Sequence, residues 1–414
     1  MTNSTILGPS ISSRDLVIKG ANEVPIDSLS PKASLLDDMT CSGSGSGNPL
    51  LIERTAARQG RFGEVWRGVW QCDQVAAKIF SSRDERSWSR EVYIYETVML
   101  RHPNILGYIA SDNRDTGLST ELWLITEYHE LGSLYDFLLK GHWMSPAAMI
   151  KMASSFINGL AHLHLPIVGM KKPIVSGLIL LIGKFSFQGK PSIAHRDLKS
   201  RNILVKKDGE CCIGDLGFAV KYDTSINSVD VPFTERIGTK RYMSPELLIS
   251  SKQQISSIEF YLRSDMYSCA LILWEISNAC GLPEVNLCPK PYSLPFHNHV
   301  GNDPSFEEML NVVVNEKRRP ALVTIPDNVQ TINGQDPGYI QAILLINKII
   351  KECWCEDPLT RLNIMRVKKY FNEILSNIIQ NPDNLWNPTV NNHTPTTPFN
   401  ALPSGVFTSS AFSS

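Results

Sequence analysis

The chain has 414 residues, 43% of them hydrophobic and 20% charged, which suits about two to three globular domains. Forty Lys and Arg against 41 Asp and Glu give a formal net charge of -1, so no global field draws the chain to nucleic acid or anionic lipid, and any partner is recognised locally. Nine cysteines show no paired C-x-x-C frame, and Cys211-Cys212 sit in an apolar run that reads as buried free thiols, a usage that suits a reducing compartment.

Residues 1–38 carry neither a basic n-region nor an apolar h-region, so no signal peptide is expected there, only a loosely ordered leader with one short helix around Leu35. Residues 39–54 hold Thr40, Cys41 and the repeat Ser42-Gly43-Ser44-Gly45-Ser46-Gly47, which composition alone reads as a linker. Residues 55–130 alternate strand-like runs (Glu64–Trp70, Gln74–Phe80, Leu122–Tyr128) with a single helix, the pattern of a small antiparallel sheet domain. Gly60-Arg61-Phe62-Gly63 reads as a glycine hairpin, and Lys78 lies on the strand that follows, within reach of nucleotide phosphates. From Ser87 to Leu100, Trp88, Glu91, Val92 and Tyr95 fall at helical spacing, so Glu91 is expected to face inward and pair with Lys78. Residues 131–376 turn helical: Ser145–His164 and Tyr339–Cys353 are amphipathic, and Asp265–Ile276 is apolar nearly all round, as a buried central helix would be. Residues 377–414 are rich in Asn, Pro, Thr and Ser and are expected to be disordered. The apolar run Ile174–Ile182 is too short to cross a bilayer, so as written the chain is expected to be soluble and cytosolic.

The densest chemistry is His195-Arg196-Asp197-Leu198-Lys199-Ser200-Arg201-Asn202, followed by Asp215-Leu216-Gly217. Asp197 can accept a hydroxyl proton, Lys199 can neutralise a moving phosphoryl group, and Asn202 and Asp215 can hold a divalent metal. Either half alone is weak, since glycine pairs make ordinary turns and helical glutamates usually face solvent. Together, in this order, they specify an α+β bilobal protein-kinase fold with a small antiparallel-sheet N-lobe bearing one helix and a larger, mainly helical C-lobe, using ATP with Mg2+ or Mn2+.

On these residues, and on Thr40–Gly47 above all, residues 34–376 closely resemble the cytoplasmic portion of type I receptor serine/threonine kinases of the TGF-β/activin/BMP superfamily. The resemblance makes Thr40, Ser42, Ser44 and Ser46 phosphoacceptors of a glycine/serine (GS) box, modified by a type II receptor kinase. It implies receptor-regulated SMAD proteins as substrates, an immunophilin as a further partner at the box, and a place on the cytoplasmic side of the plasma membrane as part of a single-pass receptor. It puts Gly60, Gly63, Val65, Ala76, Thr126, Glu127 and His129 around ATP, with Thr126 as gatekeeper and Glu127–His129 as hinge. Lys199 with Gly238–Glu246 favours a serine or threonine acceptor. Glu246 is expected to pair with Arg361, and Asp265 to support the catalytic loop. Asp112, Asn113, Arg114 and Asp115 fall in the loop that selects the SMAD and look more like the TGF-β/activin branch, although composition reads them as a polar turn.

The chain also departs from that pattern. Arg58 stands where the first glycine of G-x-G-x-x-G is usual, and the first strand of the N-lobe looks truncated, which would leave an unpaired sheet edge and weaken the grip on ATP. A catalytically impaired scaffold or decoy is therefore the rival to an active kinase. Segment 170–188 is extra; Lys184–Gln188 resembles a translated polypyrimidine tract, so a retained intron and a genuine long loop are both open. Asn48 replaces a usual leucine, which argues against immunophilin docking, and Cys41 removes one acceptor. Ser244 and Ala270 replace a usual alanine and glycine, changes the fold should tolerate.

Overall fold

Strand periodicity builds the first lobe. In the computed structural model, which describes residues 16–18, 50–60, 63–97, 99–115, 120–141, 144–168, 189–223, 228–231, 237–250, 257–281, 289–325 and 338–380, β1 (Leu16–Ile18), β2 (Leu50–Gly60), β3 (Gly63–Trp70), β4 (Asp73–Ser81), β5 (Tyr108–Asp115) and β6 (Thr120–Glu127) form one sheet in the order β1-β2-β3-β4-β6-β5. All pairs are antiparallel except β1 with β2. Successive side chains point to opposite faces, so Val75 and Ala77 of β4 join Ala110, Trp123 and Ile125 in one apolar cluster, while Phe80 joins the main core on the other face. Against that face lies α1 (Glu85–Tyr95), which buries Glu91, Val92, Ile94 and Tyr95 and anchors Trp88 through its indole N–H to the Trp123 carbonyl at 2.9 Å.

The edge of this sheet corrects the sequence reading. The first strand of the N-lobe was expected to be truncated, leaving β3 without a neighbour, yet β2 runs alongside β3 from Leu51↔Val69 to Gly60↔Gly63, with an irregularity between Glu53 and Arg58. The strand is drawn from Leu50–Ala57, residues assigned in part to the GS box. Their apolar and β-branched members (Leu50, Leu51, Ile52, Thr55) favour an extended conformation, and an open edge beside β3 supplies the hydrogen-bonding partner. The 54/55 boundary therefore falls inside a strand. The selector segment is corrected too: Asp112–Asp115 lie within β5, in register with Trp123–Thr120.

The second lobe is helical, with α2 (Leu134–Leu139), α3 (Pro146–His164), α4 (Pro245–Ile249), α5 (Ile258–Asn278), α6 (Phe306–Leu310), α7 (Gly338–Cys353) and α8 (Ile364–Gln380). Ser145 starts α3 by accepting the Ala148 N–H, with Pro146 at a position where its missing donor costs nothing. Helix α5 is buried along nearly its whole length, as its unbroken apolar run anticipates. Short strands line the cleft side: β7 (Ile193–Ala194), β10 (Val220–Asp223) and β11 (Ser228–Val229) in one sheet, β8 (Ile203–Val205) and β9 (Cys211–Ile213) in another. The extra segment leaves α3 and returns at a closed neck, where the Ile167 N–H donates to the Lys190 carbonyl at 2.8 Å. Residues 170–188, the expected Leu35 helix, the phosphoacceptors Thr40, Ser42, Ser44 and Ser46, and the tail beyond Gln380 lie outside the described residues. Among the described residues, no helix is long and apolar enough to cross a membrane.

Candidate active site

The upper wall comes from sheet register. Val65 pairs with Lys78 and Ala76 with Thr126, so alternate residues of three strands face the cleft, beneath a hairpin closed by the Gly60–Gly63 pair. Lys78 Nζ donates to Glu91 Oε2 at 3.0 Å and to Asp215 Oδ1 at 2.9 Å. Burial alone would lower the lysine's pKa, but the Asp215 and Glu91 carboxylates outweigh it and hold it well above the ordinary range. Burial pushes Asp215 up while Lys78 pulls it down, and the net lies below the usual carboxylate range. Glu91 is the more deeply buried of the two acids and stays raised; its other oxygen accepts the Leu216 N–H at 3.2 Å.

At the back of the cleft Thr126 is buried and its hydroxyl turns to the Glu127 carbonyl. Glu127 is exposed, its N–H bound to the Gly107 carbonyl; the half-buried His129 sits 3.7 Å from the Glu127 carboxylate, and burial lowers its pKa. Asn113 is exposed and Asp112 half-buried, with burial raising its pKa; both lie on β5, away from the Lys78 cluster by strand order. For Arg114 and Asp115 only the backbone is described.

The floor is the turn around Asp197. Asp265 on α5 accepts the N–H groups of His195 (2.6 Å) and Arg196 (2.9 Å) and the ring of His164 (3.0 Å), which pins the loop from below. The pinned Arg196 adopts φ 69°, as does Asp215 at φ 60°, a region that side-chain-bearing residues avoid unless their surroundings impose it. Asp197 Oδ1 accepts both the backbone N–H and the hydroxyl of Thr239 at 2.7 Å, and Oδ2 accepts Lys199 Nζ at 2.6 Å. Lys199 also reaches the Thr239 hydroxyl at 3.0 Å. Gly238, at φ 119°, makes this approach possible: a Cβ there would lie 2.9 Å from the Arg196 carbonyl.

Pairing of Ile203 with Ile213 brings Asn202 beside Gly214, whose N–H donates to the Asn202 carbonyl at 2.9 Å, and so beside Asp215. The Asn202 amide N–H2 donates to the Asp197 carbonyl, a bond that does not use its side-chain oxygen, and Asp215 has a second oxygen beyond the one bound to Lys78. Two hard oxygen donors suit a magnesium-like ion that takes most of its ligands from phosphate and water.

Glu246 and Arg361 meet in a two-pronged pair, Nη1–Oε1 and Nη2–Oε2 both 2.7 Å. Sequence reasoning did not single out Thr239 or Arg90. Arg90 is buried beside Glu91 on α1 and donates to the Ala219 carbonyl (2.7 Å), the Asp230 carboxylate (2.7 Å) and the Asp230 carbonyl (3.0 Å). Its position next to Glu91 was the available signal, but an arginine on an amphipathic helix reads as solvent-facing.

A profile of the protein kinase domain matches residues 58–168 and 184–371. This chain belongs to the protein kinase family. Within the kinases, the transforming growth factor beta type I GS-motif matches residues 33–58. The gap between the two kinase segments covers most of the extra segment, and the motif and the domain meet at Arg58. Human TGF-beta receptor type-1 is 47% identical over 82% of this kinase and 63% of its own length; human activin receptor type-1C is 47% identical over 82% and 64%. Bovine activin receptor type-1 is 46% identical over 83% of this kinase and 62% of its own length. The chain thus spans under two thirds of the curated relatives it matches. Kinases of this family use ATP and a divalent cation.

Proposed function

We propose that the chain is the catalytic portion of a TGF-β/activin type I receptor that transfers the ATP γ-phosphate to serines of a receptor-regulated SMAD, after a type II receptor kinase has modified Thr40, Ser42, Ser44 or Ser46. The observation that carries this reading is the Lys78–Glu91 ion pair with Asp215 brought beside it, because a kinase needs that lysine–glutamate pair, and an aspartate there for the metal, for turnover. Asp197 is the base. Oδ2 accepts a strong bond from Lys199, with Asn202 Nδ2 only at 3.4 Å, and retains lone-pair capacity for an acceptor hydroxyl. Lys199, already bonded to Thr239, neutralises charge on the acceptor side, while Lys78 orients the α- and β-phosphates. Asn202 and Asp215 would hold magnesium or manganese, which neutralises phosphate charge when bound. Gly60, Gly63, Val65 and Ala76 would cover the nucleotide, Thr126 to His129 would border its base, and Asp112–Asp115 would choose the SMAD.

Lys78→Arg is the test. The longer, planar guanidinium cannot reproduce a point contact to two carboxylates, so phosphorylation of a SMAD C-terminal peptide should fall to background while the melting temperature changes little. Undiminished turnover in that variant would refute the assignment. The decoy reading depended on a missing strand, and β2 occupies that edge.

A further inference from the structure

Beneath the catalytic turn lies a buried acid that the scheme above does not use. Glu275, 1% exposed on α5, has no cation bonded to it among the described residues; its carboxylate accepts the hydroxyl of Tyr242 on Oε1 at 2.6 Å and that of Tyr292 on Oε2 at 2.5 Å. Both phenols also meet the Ser200 hydroxyl, Tyr242 at 3.1 Å and Tyr292 at 3.4 Å. Ser200 is fully buried between Lys199 and Asn202, and the Tyr242 N–H is bonded to the Thr239 carbonyl at 2.8 Å. Glu275 is therefore tied to both supports of Asp197: the turn Ser200–Asn202 on one side and Thr239 on the other.

We propose that Glu275 is a positioning residue for phosphoryl transfer, its carboxylate drawing Tyr242 and Tyr292 together against Ser200 and so setting the catalytic turn relative to the segment that carries Thr239. The inference rests on the kinase reading. The groups facing the carboxylate are Tyr242, Tyr292, Ser200 and Arg241, whose own guanidinium is engaged by the carbonyls of Pro295, Gly301 and Asn302. Burial pushes Glu275 up to about 7 against the pull of the hydroxyls. Ionised, the acid accepts both phenols; protonated, it becomes a donor on one oxygen, and one phenol loses its acceptor. Turnover should thus fall as pH drops through about 7.

Stability runs the other way. The folded pKa lies above the ordinary 4.5, so the folded state binds more protons between these values, and the group's stabilisation, complete below about 4.5, is lost as pH rises through about 7. Holding the site in order and being stable ask opposite things of this carboxyl.

Two variants test the proposal. Glu275→Gln should lower kcat by roughly tenfold or more at pH 8 with KM for ATP within about twofold, should lose the acidic limb near pH 7, and should melt progressively higher relative to the parent as pH rises from 5 to 8. Tyr292→Phe, at a half-buried position, removes a bond that lowers the acid's pKa, and should move the acidic limb upward. An unchanged kcat in Glu275→Gln, or an unmoved limb in Tyr292→Phe, overturns the proposal. If the parent chain shows no turnover, the kinase reading has failed instead, and amide exchange decides this one. Exchange at residues 200–203 and 240–243, corrected for intrinsic rates, should quicken below pH 7 in the parent and not in Glu275→Gln; identical behaviour in the two proteins overturns it.

Discussion

Single residues in this kinase carry unequal loads, and burial predicts which. The Arg361 side chain is fully buried and matched to Glu246 by two parallel bonds, with further bonds to the carbonyls of Arg263, Cys355 and Glu356. Arg361→Leu would leave the mostly buried Glu246 carboxylate facing an apolar side chain, so we expect a loss of about 3–5 kcal/mol, measurable by urea unfolding. Ser244 shows the opposite case: its hydroxyl is buried where alanine is usual, yet it is satisfied by Ser264 at 2.9 Å. Gly238→Ala should affect activity before stability, because the clash with Arg196 displaces Thr239 from Asp197; the check is kcat beside the melting temperature. Lys78, Glu91, Asp197, Lys199, Asn202 and Asp215 could be picked from the chain because their spacing is local and their residue types are specific. Glu275 could not: one acid in an apolar helical run carries no sign of two phenols that arrive from segments distant in sequence.

At the level of elements, periodicity identified the β3, β4 and β6 strands and the α3 and α7 helices to within two residues, and found α1 and α5 while missing the end of the first by five residues and the start of the second by seven. The failure was β2. A stretch that reads as part of the GS box becomes a sheet strand because β3 is there to pair with it, and tertiary pairing overrides local appearance. The neck at Ile167 and Lys190 carries its own prediction. Since Ile167 and Lys190 already meet, excising residues 171–187 and closing with a short glycine turn should leave turnover unchanged and raise the melting temperature only slightly, because loop-closure entropy depends weakly on length. A large loss of activity on excision would mean that the extra segment takes part in the site.

For the molecule as a whole, the site joins two lobes through a few charged contacts, Lys78 to Asp215 foremost. A nucleotide that binds only the folded form stabilises it by mass action, about 2.7 kcal/mol at a hundredfold excess over Kd. ATP with magnesium should therefore raise the melting temperature, and Asp215→Asn should abolish the magnesium-dependent part of the shift while sparing much of the nucleotide part. The bilobal plan was legible from the switch between a period of two and a period of 3.6 along the chain. The coupling between the lobes was not, since it depends on residues such as Arg90, whose partners Ala219 and Asp230 lie far along the sequence.

Arg90 and Glu91 are neighbours on one helical turn, yet they grasp the segment after Asp215 at separate points: Leu216 through one, Ala219 and Asp230 through the other. Helix α1 therefore cannot roll about its axis by releasing a single contact. An inhibitor that sought room behind Lys78 by swinging this helix outward would have to sever both grips and the Lys78 bond in one event, so its association should be slow. Compounds that accept the helix as it stands, and compete only for the space under the glycine hairpin, face no such barrier.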